Sequence, residues 1–272
     1  MMKLLQNLAV GLLGLLGIYA HAQILLKIDN QGTQVDGYFY ATKKDGVHKA
    51  PTIVALHGCG GMLNPRGKPN FRSNAYAKIL NRQGWHVLFI DSLSTRQVKS
   101  ICSDGRLVTQ AQRVSDVQAA VAHLTKQSDS VDAQRIGILG WSHGGSTALL
   151  SNDSGVDYLV EPRAIVAFYP GCLDTKGRSI ELKPVRPVLM QLGEMDDWTN
   201  PIPCQTLAAQ WPSKVRQDTY AHASHGFDSD GPVRAIHLKL PRENRTVHTG
   251  GDPLAKAASQ AKMISFFKEH FK

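Results

Sequence analysis

Short runs of aliphatic and β-branched residues recur along this chain, and between most of them lies a segment with helical spacing. The runs are Thr52 to Leu56, Trp85 to Ile90, Arg135 to Leu139, Ala164 to Phe168, Val188 to Leu192 and Gln217 to Tyr220. Continuous apolar runs of this length suit strands covered on both faces. The helical segments are Phe71 to Arg82, Val108 to Lys126, Gly145 to Leu150, Pro203 to Gln210 and Pro253 to Phe271. In the longest of the inner ones, Val117, Val121 and Leu124 fall three or four apart and make one apolar stripe. Such alternation predicts a mainly parallel sheet with helices on both faces. Two opening strands, Ile24 to Asp29 and Val35 to Thr42, flank the turn Asn30-Gln31-Gly32 and bring the expected sheet to eight strands. Only about sixteen residues separate Gly171 from Val188, too few for a large cap domain. Residues 23–272 are therefore expected to form a single α/β domain with a substantial core.

The first 22 residues read differently. Lys3 precedes an almost purely apolar stretch, Leu8 to Ala20, and Ala20-His21-Ala22 ends in a small-x-small pattern. That is the form of a secretory signal peptide, cleaved before Gln23. The apolar stretch is short for crossing a bilayer. The chain is thus expected to be exported, periplasmic or secreted, with no membrane partner after cleavage. Four cysteines, at 59, 102, 172 and 204, suit two disulfides in an exported chain, and three pairings are open. Cys-x-x-Cys pairs, tight Cys/His clusters and phosphate loops are all missing, so no metal and no cofactor is expected. The net charge of +9 is scattered among acids without a basic run, which argues against a nucleic-acid partner.

Chemistry concentrates in four places. Gly140-Trp141-Ser142-His143-Gly144 sits between a buried strand and a small-residue helix start. A nucleophilic serine needs a sharp, strained strand-to-helix turn, and glycines two residues away keep side chains from colliding. A hydroxyl is a poor nucleophile until a base takes its proton, and that base needs an orienting carboxylate. After the strand Val188 to Leu192 comes Gly193-Glu194-Met195-Asp196-Asp197-Trp198-Thr199, where Asp196 has the better reach and Asp197 is the alternative. After the strand Gln217 to Tyr220 comes His222 and then His225-Gly226, where His225 is favoured because the glycine frees its loop. Finally, the strand Thr52 to Leu56 runs into His57-Gly58-Cys59-Gly60-Gly61. A small-residue loop there lets a backbone amide reach a substrate oxygen. The expected oxyanion donors are the amides of Cys59 and His143.

These segments, with Tyr169-Pro170-Gly171-Cys172 and His225-Gly226-Phe227-Asp228, together resemble the dienelactone hydrolase family of α/β-hydrolases, in the right order over nearly the whole chain. The resemblance implies an α/β-hydrolase fold and a small-molecule ester or acyl substrate. Ser142, Asp196 and His225 would be catalytic. The namesake enzymes carry cysteine at the elbow, so Ser142 points away from dienelactone chemistry and toward carboxylic esters or lactones. A peptidase or amidase could use the same triad, and a binding protein on this fold would lack one member. Arg96, after the strand Trp85 to Ile90, is a candidate for a substrate carboxylate, and Trp141 for another substrate contact. The strand neighbours implied by the fold favour Cys59–Cys102 and Cys172–Cys204 as the disulfides, with Cys59 otherwise free beside the oxyanion loop.

Overall fold

The computed structural model describes residues 23–42, 49–126, 129–174, 176–240 and 244–272. The expected signal peptide, residues 1–22, lies outside them. The strands are β1 (Gln23–Asn30), β2 (Thr33–Tyr40), β3 (Ala50–Leu56), β4 (His86–Asp91), β5 (Val131–Trp141), β6 (Ala164–Phe168), β7 (Val188–Gly193) and β8 (Val215–Tyr220). They form one eight-stranded sheet in the order β1-β2-β4-β3-β5-β6-β7-β8. β1 and β2 make a hairpin whose turn residues Gln31 and Gly32 have φ of 52° and 85°. Positive φ at both central residues matches the twist of the flanking strands. β2 runs antiparallel to β4, and every later pairing is parallel.

The helices are α1 (Phe71–Asn81), α2 (Gln110–Lys126), α3 (His143–Leu150), α4 (Ile202–Gln210) and α5 (Pro253–His270). One face of the sheet is covered by α2, α3 and α4 through Val117, Val121, Leu149 and Leu207. The other is covered by α1 and α5 through Tyr76, Leu80, Met263 and Phe267. This is the α/β-hydrolase architecture. The chain leaves β3 for β4 on one side and then crosses back to β5 on the other. Connections after β3 and β5 therefore diverge, and a crevice opens beyond their carboxyl ends.

Two expectations need correction. β8 is not buried on both faces: it is the edge strand, with Val215 buried but Arg216 and Gln217 exposed. A further hairpin, β9 (Arg234–Lys239) with β10 (Asn244–Thr249), occupies a stretch for which the sequence suggested no element. Its strands carry Arg234, His237, Lys239 and Arg245 and are largely exposed, so the burial-driven pattern that marks the other strands is missing. Among the described residues no helix is long and apolar enough to cross a membrane.

Candidate active site

Ser142 follows β5 directly and α3 begins at the next residue. Its backbone sits at φ 54°, ψ −121°, outside the regions that L-residues favour. Two glycines make this turn possible. A Cβ on Gly140 would lie 2.0 Å from Gly144 O, and one on Gly144 would lie 2.2 Å from Leu56 O. The Ser142 amide donates to Phe168 O at 2.9 Å, tying the strained residue to β6.

Ser142 Oγ lies 2.9 Å from His225 Nε2, and His225 Nδ1 lies 2.8 Å from Asp196 Oδ2. Asp196, on the loop after β7, is itself held. Trp198 N and Thr199 N donate to its Oδ1 at 2.9 and 2.8 Å, and Thr199 Oγ1 lies 2.8 Å from Oδ2. The imidazole of His225 packs between Tyr169 and Trp198, with ring centroids 4.6 and 4.7 Å away. Asp228 braces that wall from behind. It accepts Tyr169 OH at 2.6 Å and Arg72 Nε and Nη2 at 3.2 and 3.1 Å. Burial would raise the Asp228 pKa, yet the Arg72 charge and the tyrosine hydroxyls outweigh it and hold it below the usual carboxylate range.

The loop after β3 touches the elbow: a Cβ on Gly58 would stand 3.6 Å from Ser142 Cβ. Cys59 thus flanks the nucleophile, and its carbonyl accepts Ile101 N at 2.9 Å. The His143 amide is in the first turn of α3, where helix geometry leaves N–H groups unpaired. Behind both lies Arg113, fully buried on α2. Its Nη2 donates to His57 O at 2.7 Å and its Nη1 to His143 Nδ1 at 2.8 Å, so one guanidinium spans both loops. Burial, then the Arg113 charge, pushes the pKa of His57 down to about 3. The same two causes, joined by His57, bring His143 to about 3.

Of the three cysteine pairings, the structure contains Cys59–Cys102 and Cys172–Cys204, with Cα separations of 4.8 and 5.2 Å. The hairpin β9–β10 closes the site from the other side. Thr249 Oγ1 and Gly250 N donate to His225 O at 2.8 and 3.0 Å. His248 N and Nδ1 meet Asp197 at 2.8 and 2.7 Å, and Arg245 reaches Asp197 O.

The structure brings Ser142, Asp196, His225, Cys59 and His143 together and leaves other candidates outside. Asp197 faces His248 rather than His225. His222 is exposed on a positive-φ turn. Arg96 does not reach the serine: its guanidinium forks onto Asp116 at 2.9 and 2.7 Å and onto Ser92 O at 2.7 Å. Trp141 is 1% exposed, its ring stacked within a buried cluster of Tyr76, Phe89 and Phe168, so it supports the elbow from below and only borders the smaller cavity beside Ser142. Arg72 and Arg113 were not visible as site residues in the sequence, and Thr199 stood in the acid-loop motif without a role of its own. Tyr169 and Asp228 lie within quoted motifs, but their contact with each other arises only from folding.

Two cavities meet at Ser142. One, of about 900 Å³, runs past Cys59, His143, Leu173 and Ile180. The other, of about 690 Å³, is lined by His225, Arg72, Asp230 and Arg234. Among the described residues no group of three or more His, Cys, Asp or Glu is arranged to hold a metal ion.

Comparison with curated proteins finds no match. Solved structures do match. A dienelactone hydrolase-like promiscuous phosphotriesterase from metagenomic libraries is 20% identical, with a TM-score of 0.69 over 92% of this chain and 99% of its own. A dienelactone hydrolase from Anabaena variabilis is 17% identical, with a TM-score of 0.62 over 92% and 99%. A thermophilic esterase from Thermogutta terrifontis is 15% identical, with a TM-score of 0.59 over 91% and 94%. At these identities the likeness is one of fold. The family model for the dienelactone hydrolase family matches residues 35–271. With nearly the whole chain inside that match, the protein belongs to the dienelactone hydrolase family.

Proposed function

We propose that this member of the family is a serine hydrolase of carboxylic esters that works through an acyl-Ser142 intermediate. The observation that carries the reading is the relay from Ser142 Oγ to His225 Nε2 to Asp196, at 2.9 and 2.8 Å. In the first half-reaction Oγ attacks the carbonyl carbon and its proton passes to His225 Nε2. The amides of Cys59 and His143 receive the resulting oxyanion. The tetrahedral centre collapses, the bond to the leaving oxygen breaks, and His225 returns the proton to it. Water then repeats the sequence on the acyl-serine, releasing the acid and free Ser142. Asp196 keeps Nδ1 protonated throughout. Its hydrogen bonds from Trp198, Thr199 and the Thr199 hydroxyl hold the carboxylate in place against His225.

We also propose that residues 23–272 act as one exported catalytic unit. Two disulfides are consistent with an oxidising compartment, where such bonds persist.

The test uses 4-nitrophenyl butyrate beside the matching 4-nitroanilide, with a fluorophosphonate probe and peptide mapping. The ester should turn over faster than the anilide, and the probe should attach to Ser142. Ser142→Ala should lose on the order of a millionfold in kcat while keeping its fold. An unlabelled Ser142 or a fully active alanine variant refutes the mechanism. Faster cleavage of the anilide makes the protein an amidase instead.

A further inference from the structure

Ser142, Cys59 and Trp198 form a ridge that both cavities share, but only the smaller cavity is lined by His225. That asymmetry gives each cavity a role. The leaving oxygen takes its proton from His225 Nε2, so the leaving alcohol departs on the His225 side. The acyl carbon stays on Oγ, and its chain runs over the ridge into the larger cavity. There apolar side chains, Ile101, Leu150, Leu173 and Ile180, share the walls with charged ones and with one imidazole, His143.

The protonation of that imidazole is dictated by its neighbours. Nδ1 faces Arg113 Nη1 at 2.8 Å and Gln110 Nε2 at 3.4 Å, and both of those groups can only donate. Nδ1 must therefore offer its lone pair, and the ring proton resides on Nε2. A Cβ placed on Gly105 would lie 3.8 Å from Nε2, at ordinary contact distance, so this nitrogen stands next to a residue with no side chain. Among the described residues it has no hydrogen-bond partner. Several other polar groups of the cavity are engaged, Arg106 with Asp104, Arg178 with Asp174, Thr109 with Gln112 and Ser146 with Gly171, whereas the Glu181 carboxylate is exposed and has no hydrogen-bond partner among the described residues.

We propose that the larger cavity is the acyl subsite and that His143 Nε2–H donates to an oxygen carried by the acyl chain. Preferred substrates are then esters of oxygenated acids, with a keto or ether oxygen beyond the scissile carbonyl, rather than plain alkanoates. This rests on the acyl-Ser142 reading above. The amide of His143 serves every ester alike, whereas its ring distinguishes among them.

The experiment compares kcat/KM for 4-nitrophenyl esters of pentanoic, 4-oxopentanoic and methoxyacetic acids. Wild type is set against His143→Phe, which keeps a ring but removes the donor. Ratios between variants cancel the intrinsic reactivity of each ester. The oxygenated-to-plain ratio should fall about 2- to 12-fold in His143→Phe, the loss of one hydrogen bond to a neutral acceptor. Gly105→Leu, which places a side chain over the adjacent Nε2, should produce the same fall and serves if the phenylalanine variant does not fold. An unchanged ratio in either folded variant overturns the proposal, whatever the absolute rates. If no ester is cleaved through Ser142 at all, the mechanism itself has failed, and that outcome is separate.

Discussion

Asp196 and Asp197 are neighbours in the chain with opposite surroundings. Asp196 is 4% exposed and bound to His225, two backbone amides and a threonine hydroxyl, while Asp197 stands at the surface against His248. Asp196→Asn should lower kcat roughly 10⁴-fold, because the histidine loses its tautomer and orientation. Asp197→Asn should cost less than about 3-fold, since a surface pair contributes little. Steady-state kinetics on the two variants checks the assignment, and the reverse order would exchange their roles. The spacing Gly193-x-x-Asp196 after a buried run made Asp196 readable in the sequence. Arg113 was not readable. It is one basic residue among 31 on a helix with ordinary spacing, and its value comes from tertiary packing that sets α2 against the starts of two distant loops.

At the scale of elements, legibility follows burial. Strands β3 to β7 are covered on both faces, so their sequences are apolar runs, and the elbow between β5 and α3 announces itself by its glycines. The hairpin β9–β10 packs little apolar surface and leaves no such trace. It nevertheless ties down two loops of the candidate site, since Thr249 holds the carbonyl of His225 and His248 holds Asp197. Thr249→Val removes one hydrogen bond to the histidine's backbone while keeping the side chain's shape. A loss of about 10-fold in kcat is expected, because small displacements of a catalytic group are costly. Circular dichroism and melting temperature should stay near wild type. A variant with unaltered kcat would reduce the hairpin to a wall of the smaller cavity.

For the whole molecule, histidines withdrawn from water shape the response to acid, with His57 fully buried and His143 half-buried in the cavity wall. His57 and His143 keep pKa values of about 3 when folded, whereas an unfolded histidine titrates near 6.5. Between those values the unfolded chain binds protons that the folded one refuses, so stability falls as pH falls. Above about 6.5 both states are neutral there and the contribution is constant. Asp228 acts in the same direction: its pKa is depressed in the fold, and its contribution is lost as pH drops through that depressed value. Two protons correspond to a slope of up to about 2.7 kcal/mol per pH unit in the acid range. Denaturant titrations at pH 7.5, 5.5 and 4.5 measure it. His143→Gln should remove about half of that slope, and a slope that stays intact would assign the acid response to other groups.

Both disulfides are rim features, and neither crosses the sheet. Each closes a loop, of 43 and 32 residues, and on chain entropy each is worth about 4 kcal/mol. They differ in access, for Cys172 and Cys204 are buried while Cys59 and Cys102 are partly exposed. A thiol reductant therefore meets the Cys59–Cys102 bond first, and that bond fixes the peptide beside the nucleophile. Turnover should decline under mild dithiothreitol while far-ultraviolet circular dichroism holds steady; simultaneous loss would contradict this order. A molecule made this way fails by falling silent before it falls apart. A copy stranded among cytosolic thiols would keep its shape and lose its reactivity, so that the chemistry of the surroundings, rather than an inhibitor, decides where esters are cut.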